Sequence, residues 1–222
     1  MITKIIHEDK IQKAHKYIEK GESFVIVTHV SPDGDAIGSA LGLFHFLNAY
    51  GKENVSVIVP NDYPNFLKWM PGTKDVTIYE KYPEFSEQLI SDADVIFCLD
   101  FNDPKRIEKL ADPVLKSEAR KVLIDHHLHP VEFCNVTMSY PNISSTSEMV
   151  FRFICRMGLF DLIDKNAAEC IYTGMMTDTG AFTYNSNHPE IYTIIGELIK
   201  LGIDKDLIYR RINQVYSEGR LR

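Results

Sequence analysis

Four short runs dominated by branched apolar residues, at 24–27, 55–59, 95–99 and 122–124, constrain this chain more than any other feature. Each is too short for a helix, and none sustains the in-out alternation of a strand with one wet face. Runs of this kind are strands covered on both faces. The segments around them carry helical spacing instead. Residues 5–19 place Ile5, Ile11, Ala14 and Ile18 on roughly one face before Gly21, and residues 36–49 close at Gly51. The same period returns at 147–157, 167–176, 191–201 and 207–216. Short strands alternating with helices define the expected class: α/β, with a mostly parallel sheet flanked by helices. A connection over 61–72, rich in Pro, Asn and Tyr, holds the single tryptophan, Trp69. Phe66 and Met70 beside it point to a short helix packed by that ring, with a base-stacking platform as the lesser alternative.

Composition narrows the class of function. With 222 residues, 45% of them hydrophobic, there is ample material for a core. No stretch approaches the roughly 18 apolar residues of a membrane helix, and residues 1–10 lack the apolar centre of a secretory signal, so no membrane partner and a cytoplasmic location are expected. The four cysteines, Cys98, Cys134, Cys155 and Cys170, form no C-x-x-C pair and are expected to be small buried hydrophobes. A net charge of −7 argues against coating nucleic acid by bulk charge. It leaves room for a small phosphorylated substrate.

In open α/β sheets, ligands bind beyond the carboxyl ends of the strands, so the residues just after each run carry the functional information. The first run leads to His29, Asp33 and Asp35, the third to Asp100, and the fourth to Asp125, His126 and His127; Asp178 comes after the helical residues 171–176. Singly, each has an ordinary reading. Asp35 could cap the following helix, Asp100 could open a turn with Asn102-Asp103-Pro104, Asp178 could close a helix beside Gly180, and the histidines could be surface residues. Together they would set several carboxylates at one sheet edge, with no Lys or Arg among the motif residues to neutralise them. Such carboxylates repel and resist ionisation unless cations fill the space between them. Oxygen and imidazole donors suit Mn²⁺ or Mg²⁺ better than a thiolate-bound zinc, and two ions about 3.5 to 4 Å apart are the usual clamp for phosphoryl chemistry. Gly34 would allow a sharp loop that turns Asp33 and Asp35 toward the site, with Pro32 stiffening its entry. Gly38 and Gly42 would permit close packing of a helix on the sheet.

These blocks resemble the DHH phosphoesterase family, whose defining triplet is found here as Asp125-His126-His127. Around it stand, in order, His29-Val-Ser-Pro-Asp33-Gly-Asp35-Ala-Ile-Gly-Ser, Leu99-Asp100-Phe-Asn, and Tyr-Thr-Gly-Met-Met-Thr-Asp178-Thr-Gly-Ala-Phe. Ser144-Ser145-Thr146-Ser147-Glu148 is similar to a further block of the branch with oligoribonuclease and pAp phosphatase activity. The resemblance runs from about residue 20 to residue 190.

The resemblance implies a role for each position. His29 and Asp33 would hold one metal ion, Asp35, His126 and Asp178 the other, and Asp100 would bridge both. His127 would face the scissile phosphate and, with Asp100, act in catalysis, while Asp125 would orient the neighbouring histidines. Thr146, Ser147 and Arg152 are further candidates for substrate contact, although hydroxyl capping of a helix at Ser147 accounts for the first two equally well. The implied cofactors are two divalent ions, Mn²⁺ first, with Mg²⁺ or Co²⁺ as alternatives. The implied substrates are a short single-stranded oligonucleotide or 3′-phosphoadenosine 5′-phosphate, with pyrophosphate or polyphosphate as the runner-up. A sensor that binds metal or nucleotide without turnover is the alternative from a different class. The sequence is silent on oligomeric state, and a homodimer is compatible with it.

In this family a second, C-terminal domain with a glycine-rich segment normally supplies much of the substrate binding, and no Gly-Gly pair occurs here. The expectation is therefore a catalytic domain over 1–190, terminal helices and the start of a linker over 191–222, and no C-terminal substrate-binding domain in this chain. Arg210, Arg211, Arg220 and Arg222 are expected on a solvated helix face.

Overall fold

The protein is described by a computed structural model covering residues 4–213. Its strands are β1 (Ser23–Val27), β2 (Asn54–Val59), β3 (Val76–Ile78), β4 (Val95–Leu99), β5 (Arg120–Asp125) and β6 (Val136–Ser139). They form one sheet in the order β3-β2-β1-β4-β5-β6, and every pairing is parallel. The chain lays down one half of the sheet outward from β1, then returns past β1 to lay down the other half. The crevice between the carboxyl ends of β1 and β4 is thus the point where strand order reverses, the place where such sheets bind ligands.

The helices are α1 (Glu8–Lys20), α2 (Gly34–Ala49), α3 (Pro83–Ser91), α4 (Ala111–Lys116), α5 (Thr146–Arg156), α6 (Lys165–Asp178), α7 (Pro189–Lys200) and α8 (Lys205–Asn213). They cover the sheet on both faces, which explains the unbroken apolar runs. Phe24, Ile26, Phe97, Leu99, Val122 and Ile124 enter the larger core, shared with α1, α2 and α5 to α8. Their neighbours Val25, Val27, Ile96, Cys98 and Leu123 point the other way, against residues of α3, α4 and the 3₁₀ segment Pro104–Leu110. Each fully buried side chain of this size contributes about 1.5–3 kcal/mol of burial free energy.

At the centre of the larger layer α2 packs against α6 with almost no space between them. A Cβ on Gly38 would lie 2.6 Å from the Cys170 carbonyl oxygen and 2.8 Å from the Gly174 nitrogen, and one on Gly42 would lie 2.6 Å from Ile171 Cγ1. These glycines therefore serve helix-to-helix packing rather than the helix-to-sheet packing expected from their spacing. Gly34 likewise serves close approach, to Thr177 of α6. The left-handed residue of its loop is Ser31, at φ 53°, whose amide donates to Asn61 Oδ1 at 2.7 Å.

Several expected elements differ in extent. α1 begins at Glu8 instead of residue 5, because Ile6 is buried ahead of the helix. β3, β6, α3 and α4 were not foreseen. The short helix near Trp69 is a 3₁₀ turn at Asn65–Leu67, and the Arg211 guanidinium carbon lies 4.7 Å from the centre of the Trp69 ring, covering one face. α8 carries part of the helix expected over 207–216; residues 214–216, Arg220 and Arg222 lie outside the described residues. Cys98 and Cys170 are buried, as expected, while Cys134 and Cys155 are half-buried. Among the described residues no helix is long and apolar enough to cross a membrane.

Candidate metal centre

The loops after β1, β4 and β5 meet at the crevice where strand order reverses, and the end of α6 joins them. Asp33 caps α2, its Oδ1 accepting from the amides of Asp35 and Ala36 at 3.0 Å each. The capping that Asp35 taken alone could have supplied falls to Asp33. Asp35 is left in the first helical turn, 1% exposed. Asp100 comes directly after β4 at φ 65°, a left-handed conformation that Asp tolerates better than most residues, and is 2% exposed. Asp178 is the last residue of α6.

The histidines are oriented by their outer nitrogens. His29 Nδ1 donates to the Val30 carbonyl at 2.8 Å and His126 Nδ1 to the Ile143 carbonyl at 3.3 Å. In each ring this leaves the Nε2 lone pair facing the carboxylates. His29 Nε2 lies 3.3 Å from Asp100 Oδ2 and 4.0 Å from Asp33 Oδ1. His126 Nε2 lies 3.7 Å from Asp100 Oδ1, 3.9 Å from Asp35 Oδ2 and 3.5 Å from Asp178 Oδ2. Lone pairs facing one another across such gaps repel unless a cation sits between them. Three overlapping sets, His29, Asp33 and Asp100, then Asp35, His126 and Asp178, then Asp100, His126 and His127, each bring their donor atoms within 4.8 Å of one another. The donor set therefore fits divalent ions, with oxygen and imidazole ligands at hard-cation spacing.

Titration behaviour points the same way. Burial, reinforced by the charges of Asp35 and Asp33, pushes Asp100 well above the usual carboxylate range. Burial also raises Asp35, against the pull of His126. Asp178 is pushed up to about 6, first by burial and then by Asp35. For His126 burial disfavours the imidazolium, but the summed charges of Asp35, Asp100, Asp178 and Asp125 outweigh it and raise its pKa.

The N-terminus of α5 completes the frame. Ser145, not Ser147, is its cap, accepting from the Glu148 amide at 3.0 Å. The Thr146 and Ser147 amides instead donate to the two oxygens of Asp35, at 2.6 and 2.9 Å, and the Thr146 hydroxyl donates to Asp100 Oδ1 at 2.8 Å. Ser147 is fully buried, against Gly174. Asp125, also fully buried, accepts from His127 Nδ1 at 2.6 Å and from the His127 amide at 3.0 Å.

His29, Asp33, Asp35, Asp100, His126, His127 and Asp178 thus come together, and Thr146 and Ser147 join them from behind. Arg152 lies in a separate buried network. It donates to Glu148 Oε1 through Nε at 2.8 Å and to Glu190 Oε2 at 2.7 Å, beside a cavity of about 270 Å³ bordered by Asn142 and His188. Sequence reasoning missed Arg106, whose Nη1 lies 3.0 Å from His127 Nε2 and donates to the Asp100 carbonyl at 3.4 Å. Its signal was proximity to Asp100 in the chain, masked by the charged stretch from Lys105 to Lys109, which reads as an ordinary solvated segment.

Residues 23–175 match the DHH family, N-terminal domain. The bifunctional oligoribonuclease and PAP phosphatase NrnA of Thermus thermophilus is 35% identical over 80% of this chain and 50% of its own length. The protein of the same name from Bacillus subtilis is 26% identical over 88% of this chain and 58% of its own. A crystal structure of an exopolyphosphatase-related protein from Bacteroides fragilis superposes with a TM-score of 0.98 at 60% identity, covering 100% of this chain and 65% of that one. The chain thus spans about half the length of the curated relatives it matches.

Proposed function

The chain belongs to the DHH family, and from that premise we propose that it is a two-metal phosphoesterase hydrolysing short oligonucleotides or 3′-phosphoadenosine 5′-phosphate. The observation that carries this reading is the buried Asp100 standing between two histidines, its Oδ2 facing His29 and its Oδ1 facing His126, each histidine within a three-residue donor set. His29 and Asp33 would hold one ion, Asp35, His126 and Asp178 the other, and Asp100 both. Bound there, two divalent ions would supply Lewis-acid charge at the phosphoryl oxygens and acidify a water enough to act as nucleophile near neutral pH. We assign Mn²⁺ on the mix of carboxylate and imidazole donors.

The chain's own residues do the rest. Thr146 and the α5 amides fix the carboxylates, so little reorganisation is left for the reaction itself. Asp125 fixes the His127 ring, which stands at the partly open side of the cluster and faces the substrate phosphate. The Ser147 amide holds Asp35 from a buried position, while Arg152 binds Glu148 and Glu190 in a network of its own. We place the catalytic domain in residues 1–190, with the segment from 191 leading away from it, and assign the protein to the cytoplasm, where nucleotide turnover takes place.

The nucleotide substrate rests on what the NrnA relatives are named for. A second reading, hydrolysis of polyphosphate or pyrophosphate, is favoured by the exopolyphosphatase-related structure at 60% identity. The test is to incubate the protein with Mn²⁺ and, separately, a 5′-phosphorylated dinucleotide, 3′-phosphoadenosine 5′-phosphate, pyrophosphate and polyphosphate, with Asp100→Ala as control. Nucleotide products lost in the control support the first reading, and phosphate released only from the inorganic substrates supports the second. Tight Mn²⁺ binding with no turnover of any of them would move the protein to the sensor class.

A further inference from the structure

We propose that Arg106 is a substrate-binding residue whose guanidinium takes an oxygen of the phosphoryl group under attack, beside His127. The inference deepens the phosphoesterase reading and rests on it. Arg106 lies in the 3₁₀ segment Pro104–Leu110, which is capped by Asp103, its Oδ1 accepting from the Lys105 amide at 2.9 Å. The Arg106 carbonyl accepts from the Val30 amide at 2.8 Å, which ties its backbone to the loop carrying His29. The residue is half-buried. Its position is therefore set by the same framework that sets the metal-facing residues.

The hydrogen bonds around His127 fix which group can donate to an anion on this side of the cluster. A guanidinium has no lone pair to accept with, so the 3.0 Å contact makes His127 Nε2 the acceptor and Arg106 the donor. Independently, His127 Nδ1 lies 2.6 Å from the buried carboxylate of Asp125 and donates to it. Both constraints select one tautomer, with the proton on Nδ1. His127 Nε2 is thereby occupied by the Arg106 hydrogen, while the guanidinium keeps further N–H donors to offer an anion.

The charge pattern supports the same assignment. Asp33, Asp35, Asp100 and Asp178 converge here, yet among the described residues Arg106 forms no ion pair with any carboxylate. Its Nη1 rests on an imidazole nitrogen and on the Asp100 carbonyl, both neutral acceptors. A permanently charged planar fork matched to phosphate geometry, and held without a carboxylate, acquires its counter-charge when an anion binds.

The experiment uses inorganic phosphate as probe, titrated calorimetrically into the Mn²⁺-loaded protein and into its Arg106→Gln and Arg106→Lys variants. Mn²⁺ stoichiometry and thermal stability are measured alongside. A charge-assisted hydrogen bond of this kind corresponds to roughly a 10- to 100-fold change in affinity. Arg106→Gln should weaken phosphate binding by that factor with Mn²⁺ stoichiometry intact, and Arg106→Lys should recover part of the loss. Phosphate affinity unchanged in both variants would overturn the proposal. Loss of Mn²⁺ together with phosphate would overturn it too, making Arg106 a positioning residue for Asp100. If the wild-type protein binds Mn²⁺ but neither binds phosphate nor turns over any substrate, the phosphoesterase reading itself fails; binding in the wild type that Arg106→Gln leaves untouched removes only this inference.

Discussion

The Thr146 hydroxyl donates to Asp100 Oδ1 at 2.8 Å, tying the first residue of α5 to the carboxylate that His29 and His126 both face. Thr146→Val keeps the shape and deletes that donor. Outer hydrogen bonds of this kind are worth roughly 10- to 100-fold in metal affinity or activity. We expect a loss of that size in Mn²⁺ affinity, read by calorimetry, and a lower melting temperature in the metal-free protein.

Asp125 acts one step further out. It receives both the Nδ1 proton and the backbone amide of His127. Asp125→Asn can no longer hold the ring by a charge-assisted bond and should lower turnover by roughly 10- to 100-fold. Mn²⁺ stoichiometry should stay intact, because the donor atoms of His29, Asp33, Asp35, Asp100, His126 and Asp178 are untouched; a lost ion would count against this division of labour.

The contact between α2 and α6 gives a prediction about stability. Gly38→Ala would drive a methyl group onto the Cys170 carbonyl and the Gly174 nitrogen, both backbone atoms that can move only by parting the helices. The expected cost is about 1–3 kcal/mol or more in urea unfolding. Gly196→Ala on α7, where a Cβ meets nothing within 4 Å, is the matched control. It should be neutral or stabilising by up to about 1 kcal/mol.

Stability of the metal-free protein should fall as pH rises. Asp178 titrates at about 6 in the folded protein against 3.8 ordinarily, and Asp35 and Asp100 are raised as well. The folded state therefore holds more protons than the unfolded state between these values, and stability present below about pH 4 is lost through about pH 6. The raised pKa of His126 acts in the same direction. In the presence of Mn²⁺ the trend should reverse, since ligands bind metal only when deprotonated. Melting temperatures at about pH 4.5 and about pH 7.5, with and without Mn²⁺, test both signs.

The strands that carry chemistry were legible because β1, β4 and β5 are buried on both faces and each ends in, or is followed within two residues by, Asp or His. β3 was not, being three half-buried residues at the sheet edge, nor was β6, whose buried Val136 and Met138 alternate with polar neighbours. α3 escaped because Phe85, its largest apolar side chain, is 57% exposed, so its spacing does not mark the buried face. Six of the converging residues could be named from the stretches beyond the apolar runs, and Asp178 from its place after the helical residues 171–176. The cap of α5 could not, because in Ser144-Ser145-Thr146-Ser147 several hydroxyls have equal claim. Which one turns to the backbone is decided by Asp35, far away in the chain, drawing the next two amides. The contact between Arg106 and His127 spans two post-strand loops, and no spacing rule along one segment reports it.

The donor atoms of the candidate centre come from residue 29 through residue 178, in four separate stretches of chain. Ions bound there would act as cross-links, removing the loop-closure entropy that the open chain gains by letting those stretches drift apart. Chelation should therefore do more than silence chemistry: it should unfasten β1, β4, β5 and α6 from one another at their functional ends and open the chain to proteolysis there first.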